Sequence, residues 1–298
     1  MKKNSRAKKL LKKIEGFFSY FKHRFIVIYL EYKTGFNTVL RKYQSLSNKD
    51  CEPISSTSPV WICWWQGEQQ MPNIVKACVN SIRMHARKHP VIIVDKCNYQ
   101  EYVRMPEEIM QKLQEGIIDI THFSDILRMR LLSTHGGVWM DATILLPSKD
   151  IDSFIVPENK YWSCHHLPIY HNISKGGWTS FFVACGKGNI LPQIIYELHI
   201  KYWTKHNWLI NYLLLDYTFA IARKKVKAIH DMIEEIPISV MGPLGKCLHE
   251  EWDQDSWKHF CEDFNFHKIT YKLSVPERTP EGKLTNYGYI MQKFFPRA

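Results

Sequence analysis

Along most of the chain, short apolar runs alternate with longer stretches in which apolar residues recur at helical spacing, the pattern of an α/β fold. Val60 to Trp65 is one such run, closed by Gly67 and Pro72, and Val91 to Val94 is a second, closed by Asp95. Both are predicted to be buried parallel strands. Between them Ile74, Ala77, Cys78 and Ile82 give Asn73 to His85 one apolar helical face, so the order is strand, helix, strand. Tyr99 to Gln114 predicts a further helix. Ser124 is the expected cap of the next, which runs to about Thr134 and is stopped by Gly136 and Gly137. Val138 to Leu146 and Trp178 to Ala184 predict strands, and Leu191 to Trp203 and Leu209 to Ala222 predict helices.

A different pattern precedes this body. Leu10, Leu11, Ile14, Phe17, Phe18 and Phe21 recur at spacings of one, three and four, with Lys12, Lys13 and Lys22 between them. A helix here has an apolar face and a cationic face. From Ser45 to Pro59 the composition shifts to Ser, Asn, Asp, Thr and Pro, a linker signature. The expected division is a basic helical arm and linker over residues 1–50 and a catalytic domain over 51–298.

Charge sharpens that division. Residues 1–50 hold thirteen bases against Glu15, Glu31 and Asp50, a net +10, whereas the remaining 27 bases and 26 acids leave the body at +1. A balanced body without a recognisable stacking module excludes nucleic acid as the partner. The arm has three readings: a helix lying on an anionic membrane leaflet through residues 1–48, a helix packed on the body, or a solvated tail. The apolar run Phe25 to Leu30 is far too short to span a bilayer and no small-residue cleavage site follows it. Eight cysteines are scattered without the Cys/His spacing of a zinc site, which suits a reducing compartment. The expected location is cytoplasmic, peripheral on the inner face of the cell membrane.

The chemistry concentrates between Phe123 and Thr143. Asp125 and Arg128 are one helical turn apart, so their side chains share a face. Gly136 and Gly137 allow a sharp turn, and the strand after them delivers Asp141 to its end, where α/β sheets bind ligands. Such a set can grip sugar hydroxyls, a diphosphate and a divalent cation. Singly, each residue has an ordinary explanation: a first-turn helix acid, a surface ion pair, a strand-end turn. Asp216, in an otherwise apolar helical run from Tyr212 to Tyr217, needs a partner or a task and is a candidate for acceptor-side chemistry. His165, His166 and His171 form the densest histidine group but lack a carboxylate at fixed spacing. Serine-hydrolase elbow, P-loop and dinucleotide fingerprints are absent from the sequence.

The run Ser124-Asp125-x-x-Arg128, a leucine-rich turn, then Gly136-Gly137-x-Trp139-x-Asp141 resembles the glycosyltransferases with a DXD sugar-binding region. More closely, Trp61 to about Leu273 is similar to the capsular polysaccharide synthesis protein family, through Trp61 to Gly67, Trp178 to Phe182, Tyr202-Trp203 and Met241-Gly242-Pro243 as well. The resemblance implies a glycosyltransferase A-type, Rossmann-like fold. It also implies a hexosyltransferase-like enzyme that moves a sugar from a nucleotide-sugar donor to a capsular or exopolysaccharide repeat unit, with retention, on a lipid-linked saccharide acceptor. By position it implies that Trp65 stacks on the base, that Asp125 and Arg128 hold donor sugar and diphosphate, and that Asp141 faces ribose and metal. Of Trp64 and Trp65, adjacent on a strand, one is expected to face the crevice.

The sequence departs from the DXD pattern where the second acid is Thr143. A Mn²⁺ or Mg²⁺ ion would then rest on Asp141 and Thr143, with His267 as a further ligand and Lys268 as a phosphate-binding cation. The alternative for His267 to Lys272 is an ordinary edge strand. Two other functions stay open: a nucleotide-sugar-binding scaffold without catalysis, and a metal-assisted phosphodiesterase or nucleotidyltransferase, which wants more clustered acids than Asp141 alone.

Overall fold

The computed structural model describes residues 16, 18–155, 160–165 and 172–295. Leu10, Leu11, Lys12, Lys13, Ile14 and Phe17 of the arm, and His166 and His171, lie outside the described residues.

The α/β class is as expected. The central sheet has five strands: β1 (Val60–Cys63), β2 (Val91–Val94), β3 (Gly137–Met140), β5 (Tyr161–Ser163) and β6 (Phe182–Cys185), in the order β2-β1-β3-β6-β5. The pairs β2-β1 and β1-β3 are parallel, and β3-β6 and β6-β5 are antiparallel. A Rossmann-like half thus leads into an antiparallel half. A separate ribbon pairs β4 (Ile144–Leu145) with β7 (His267–Lys268), with Ile144 opposite Lys268.

Alternation along the strands divides the interior into two cores. Trp61, Trp139, Tyr161, Val183 and Cys185 face one side, against the helices α2 (Ile120–His135), α3 (Ile190–Lys205) and α4 (Leu214–Lys225). Val60, Ile62, Val138, Met140, Trp162, Phe182 and Ala184 face the other, against α1 (Asn73–His85) and α5 (Asn286–Phe294).

The arm contributes to the first core. A helix over residues 18–28 runs into a π-helical turn at Tyr29–Thr34 that Gly35 ends at φ 88°. From it and the short helix Phe36–Leu40, Ile26, Leu30, Phe36 and Leu40 are buried among the residues of α2, α3 and α4. Glu31, 3% exposed, pairs with Lys224 at 3.0 Å, and the Tyr43 hydroxyl donates to Glu197 at 2.6 Å. The stretch from Ser45 to Pro59 has no helix or strand, yet it is pinned: Asn48 Oδ1 accepts the Ile190 N–H at 2.9 Å and Ile54 is buried.

Several boundaries differ from expectation. The helix expected over Tyr99 to Gln114 is two, Tyr99–Tyr102 and Glu107–Gln114, because the residue before Pro106 disfavours helix. The strand expected from Val138 to Leu146 breaks at a turn in which Ile144 N–H donates to the Asp141 carbonyl at 2.9 Å. Trp178 to Ala184 becomes strand at Phe182, and Leu209 to Ala222 becomes helix at Leu214.

The Gly136-Gly137 pair positions everything downstream. It turns the chain from α2 straight into β3 with φ of 66° and 101°, and the Val138 N–H donates to the Pro59 carbonyl at 2.9 Å. A Cβ on Gly137 would collide with that carbonyl, and one on Gly136 would stand 2.6 Å from the Lys187 backbone nitrogen. Gly137→Ala should therefore cost about 2 to 4 kcal/mol, combining a forbidden backbone with a steric clash. A thermal melt matching the parent protein would refute this.

Candidate active site

Because β1, β2 and β3 run parallel, their carboxyl ends share one edge of the sheet, and there a cleft of about 750 Å³ opens. Trp64 and Trp65 border it from just beyond β1, Arg128 from α2, Asp141 and Thr143 from the turn after β3, and Lys268 and Tyr271 from β7 and beyond. Tyr212 closes another side.

Arg128 is the hub. Its side chain is 5% exposed, and one guanidinium nitrogen lies 3.3 Å from Asp125 Oδ1 and 3.2 Å from Asp141 Oδ1. The other terminal nitrogen donates to the Ser180 carbonyl, and the guanidinium sits 4.8 Å from the centroid of the Trp139 ring. Nε is buried and has no acceptor among the described residues. Asp141 is held from every side: Oδ1 also accepts the Trp139 indole N–H at 3.0 Å, and Oδ2 accepts from Lys268 Nζ at 2.6 Å. Lys268 in turn lies 4.5 Å from the Phe181 ring centroid.

These contacts separate the carboxylates. Burial pushes Asp125 up to about 6, outweighing the nearby Arg128 charge. Burial acts on Asp141 as well, yet Lys268 and Arg128 together hold it below the ordinary carboxylate range. Asp216, on α4, is raised to about 6 by burial against the opposing pull of the Trp178 indole N–H, which donates to its Oδ1 at 2.9 Å, and of Arg128. Asp125 and Asp141 thus flank one guanidinium, whose charge also favours the ionised form of Asp216.

A carboxyl whose folded value is raised holds its proton where the unfolded chain, near 3.9, has lost it. Stability therefore falls as pH rises from about 4 to about 6, and the full penalty stands above that window. Asp216→Asn, which keeps an acceptor for Trp178, should raise the melting temperature by a few degrees at pH 7.5 and change it little at pH 4. An unchanged or lower value at pH 7.5 would count against the buried carboxylate.

The sequence-predicted residues fare unequally. Asp125, Arg128, Asp141 and Lys268 come together as a single cluster, whereas Asp216, on α4, is held by the Trp178 indole. Trp65 borders the cleft and packs on Phe123 and Tyr99 at centroid distances of 4.8 and 5.4 Å. Trp64 borders it too, contrary to the expected alternation, because β1 ends at Cys63 and the two tryptophans lie beyond it. Ser124 does not cap α2: Asp119 does, accepting the His122 N–H at 2.9 Å, and the Ser124 hydroxyl donates inside the helix to Thr121.

His267 is turned away from the cleft. Its ring nitrogens meet the Leu244 N–H at 3.3 Å and the Phe260 carbonyl at 3.2 Å, and burial lowers it to about 4. Neighbours on a strand face opposite sides, so the register that aims Lys268 at Asp141 aims His267 elsewhere. Thr143 lines the cleft beside Asp141. His165 Nδ1 lies 3.2 Å from the Ile236 carbonyl. Among the described residues no group of three or more His, Cys, Asp or Glu is placed to hold a metal ion. Sequence reasoning missed the tasks of Trp139 and Trp178; the first was legible, since residues two apart on a strand share a face, as Trp139 and Asp141 do.

The family described as Capsular polysaccharide synthesis protein matches residues 12–288. A curated relative, the O-glycosyltransferase PaGT of Phomopsis amygdali, is 28% identical over 104 residues, 32% of this chain and 26% of that protein. The match thus spans about a quarter of that relative's length. Among solved structures, the PaToxG glycosyltransferase aligns over 82% of this chain and 94% of its own, at 13% identity and a TM-score of 0.42.

Proposed function

The chain belongs to the capsular polysaccharide synthesis protein family, and from that premise we propose that it is a glycosyltransferase acting on a nucleoside-diphosphate sugar. The observation that carries the reading is the bracketing of Asp141 by Arg128 and Lys268 at the parallel strand ends, inside a cleft walled by Trp64 and Trp65. Cations beside a carboxylate suit a donor whose diphosphate needs neutralising while a sugar hydroxyl needs an acceptor. The buried Arg128 Nε–H supports it further, as a donor that a bound phosphate oxygen would satisfy.

In this mechanism Trp65 stacks on the base, and Asp125 and Arg128 orient the donor. The bond from the anomeric carbon to the diphosphate breaks, and the charge left on the nucleoside diphosphate falls to Arg128 and Lys268. The acceptor oxygen bonds to the anomeric carbon, and Asp216 is the acceptor-side carboxylate that receives its proton. Retention of configuration and a hexosyl donor are carried by the family resemblance, as are a capsular or exopolysaccharide acceptor, lipid-linked and met by a cytoplasmic enzyme at the inner face of the membrane.

A divalent cation does not fit the residues present. Both Asp141 oxygens are engaged, Thr143 is neutral where a second acid would ligate, and His267 faces away. Lys268 stands where a cation would be needed.

The test is a panel of nucleoside-diphosphate sugars incubated with purified protein. Release of sugar and nucleoside diphosphate supports the transferase, and the anomer formed with an acceptor, read by NMR, checks retention. Binding without turnover would instead identify a scaffold, and release of sugar phosphate and nucleoside monophosphate a phosphodiesterase.

A further inference from the structure

The arm helix has two apolar faces. One, carrying Ile26 and Leu30, is buried in the core. The other carries Phe18, Phe21, Phe25, Ile28 and Tyr32, which are 67%, 52%, 67%, 46% and 68% exposed. Their spacings of three, four, three and four residues hold them in one stripe along the helix.

At about 100° per residue, Arg24 flanks this stripe on one side and Lys22 on the other. Both are exposed. An aromatic row between two cationic margins matches the layering of an anionic bilayer surface, acyl boundary in the middle and phosphate to either side. On the opposite face Ile26 and Leu30 already fill the protein's own core, whereas the residues of this stripe are about half or more exposed.

We propose that this stripe is a lipid-docking face, which seats the enzyme on an anionic bilayer with Phe18, Phe21, Phe25 and Ile28 in the interface. The charge distribution selects this occupant: an arm of net +10 is drawn to an anionic surface and repels the same arm of a second copy. The site deepens the membrane placement proposed for the enzyme and rests on that reading for its location, not on the transferase chemistry. Short contacts tie the arm to the body. His23 Nδ1 lies 2.6 Å from the Tyr217 hydroxyl, next to Asp216, and Glu31 pairs with Lys224 on the same helix.

The test uses the full chain with vesicles of phosphatidylcholine alone or mixed equally with phosphatidylglycerol. The protein should float with the anionic vesicles and not the neutral ones, and the double variant Phe21→Ser, Phe25→Ser should bind them at least roughly tenfold more weakly. Lys22→Gln with Arg24→Gln should weaken binding at low salt and reduce its salt sensitivity. Nucleotide-sugar hydrolysis in solution, measured on the same preparations, should be unchanged, because the substituted side chains are exposed. Equal vesicle binding by the double phenylalanine variant would overturn the proposal. So would a wild-type dimer in light scattering that the same variant dissolves, since the stripe would then join two copies. Lipid binding that follows the stripe without donor turnover in any preparation would sink the transferase reading and leave this one standing.

Discussion

Arg128→Ala should reduce kcat/KM for nucleotide-sugar hydrolysis by roughly 30-fold to several thousandfold, the equivalent of about 2 to 5 kcal/mol for a buried ion pair left without one partner. The guanidinium touches Asp125, Asp141 and the Ser180 carbonyl, so no neighbour can take over its place. Its loss leaves Asp125 buried with its main compensating charge gone, and that carboxyl should move further above 6. Arg128→Lys restores the charge without the planar fork and should recover part of the loss. Circular dichroism and a thermal melt on each variant separate a missing contact from a missing fold. A folded Ala variant with full donor turnover ends the assignment of Arg128 to the diphosphate.

The second large effect concerns Lys268. Lys268→Met keeps much of the side-chain length but removes the ammonium from Asp141 and from over the Phe181 ring. Loss of one charge-stabilising donor from a preorganised site costs about 10² to 10³ in kcat. The parent enzyme should meanwhile turn over donor fully in excess chelator, since Lys268 and Arg128 already hold the charges that a cation would supply. Turnover abolished by chelator and restored by Mn²⁺, with Lys268→Met still active, would reverse the argument and make the lysine a bystander.

Much of this site is local in sequence, which is why it was legible. Asp125 and Arg128 share a helical turn, and Gly136, Gly137, Trp139 and Asp141 follow one another through a turn, a short strand and its end, so spacing alone predicts their company. Lys268 and Asp216 lie 127 and 75 positions beyond Asp141, and no local rule brings them back. His267 misses by parity: it lies on the right strand, but the register decides which neighbour faces Asp141. Asp119, three residues before His122, caps the helix in place of Ser124, whose hydroxyl satisfies itself within the helix. The antiparallel direction of β6 comes from pairing across the sheet, which periodicity does not encode.

The arm's inward face has a consequence for synthesis. Its partners lie far along the chain: His23 meets Tyr217 across 194 positions, Glu31 meets Lys224 across 193, and Thr34 meets His206 across 172. At ribosomal speeds of about 5 to 20 residues per second, the arm leaves the ribosome roughly 10 to 40 s before those partners exist. During that interval Ile26 and Leu30 are as bare as the phenylalanine row, and under the proposed docking a nearby bilayer would compete for both. A nascent chain tethered to lipid from its first helix would then fold its body against the membrane, whereas a circular permutant that places the arm after α4 would close its core first and dock afterwards.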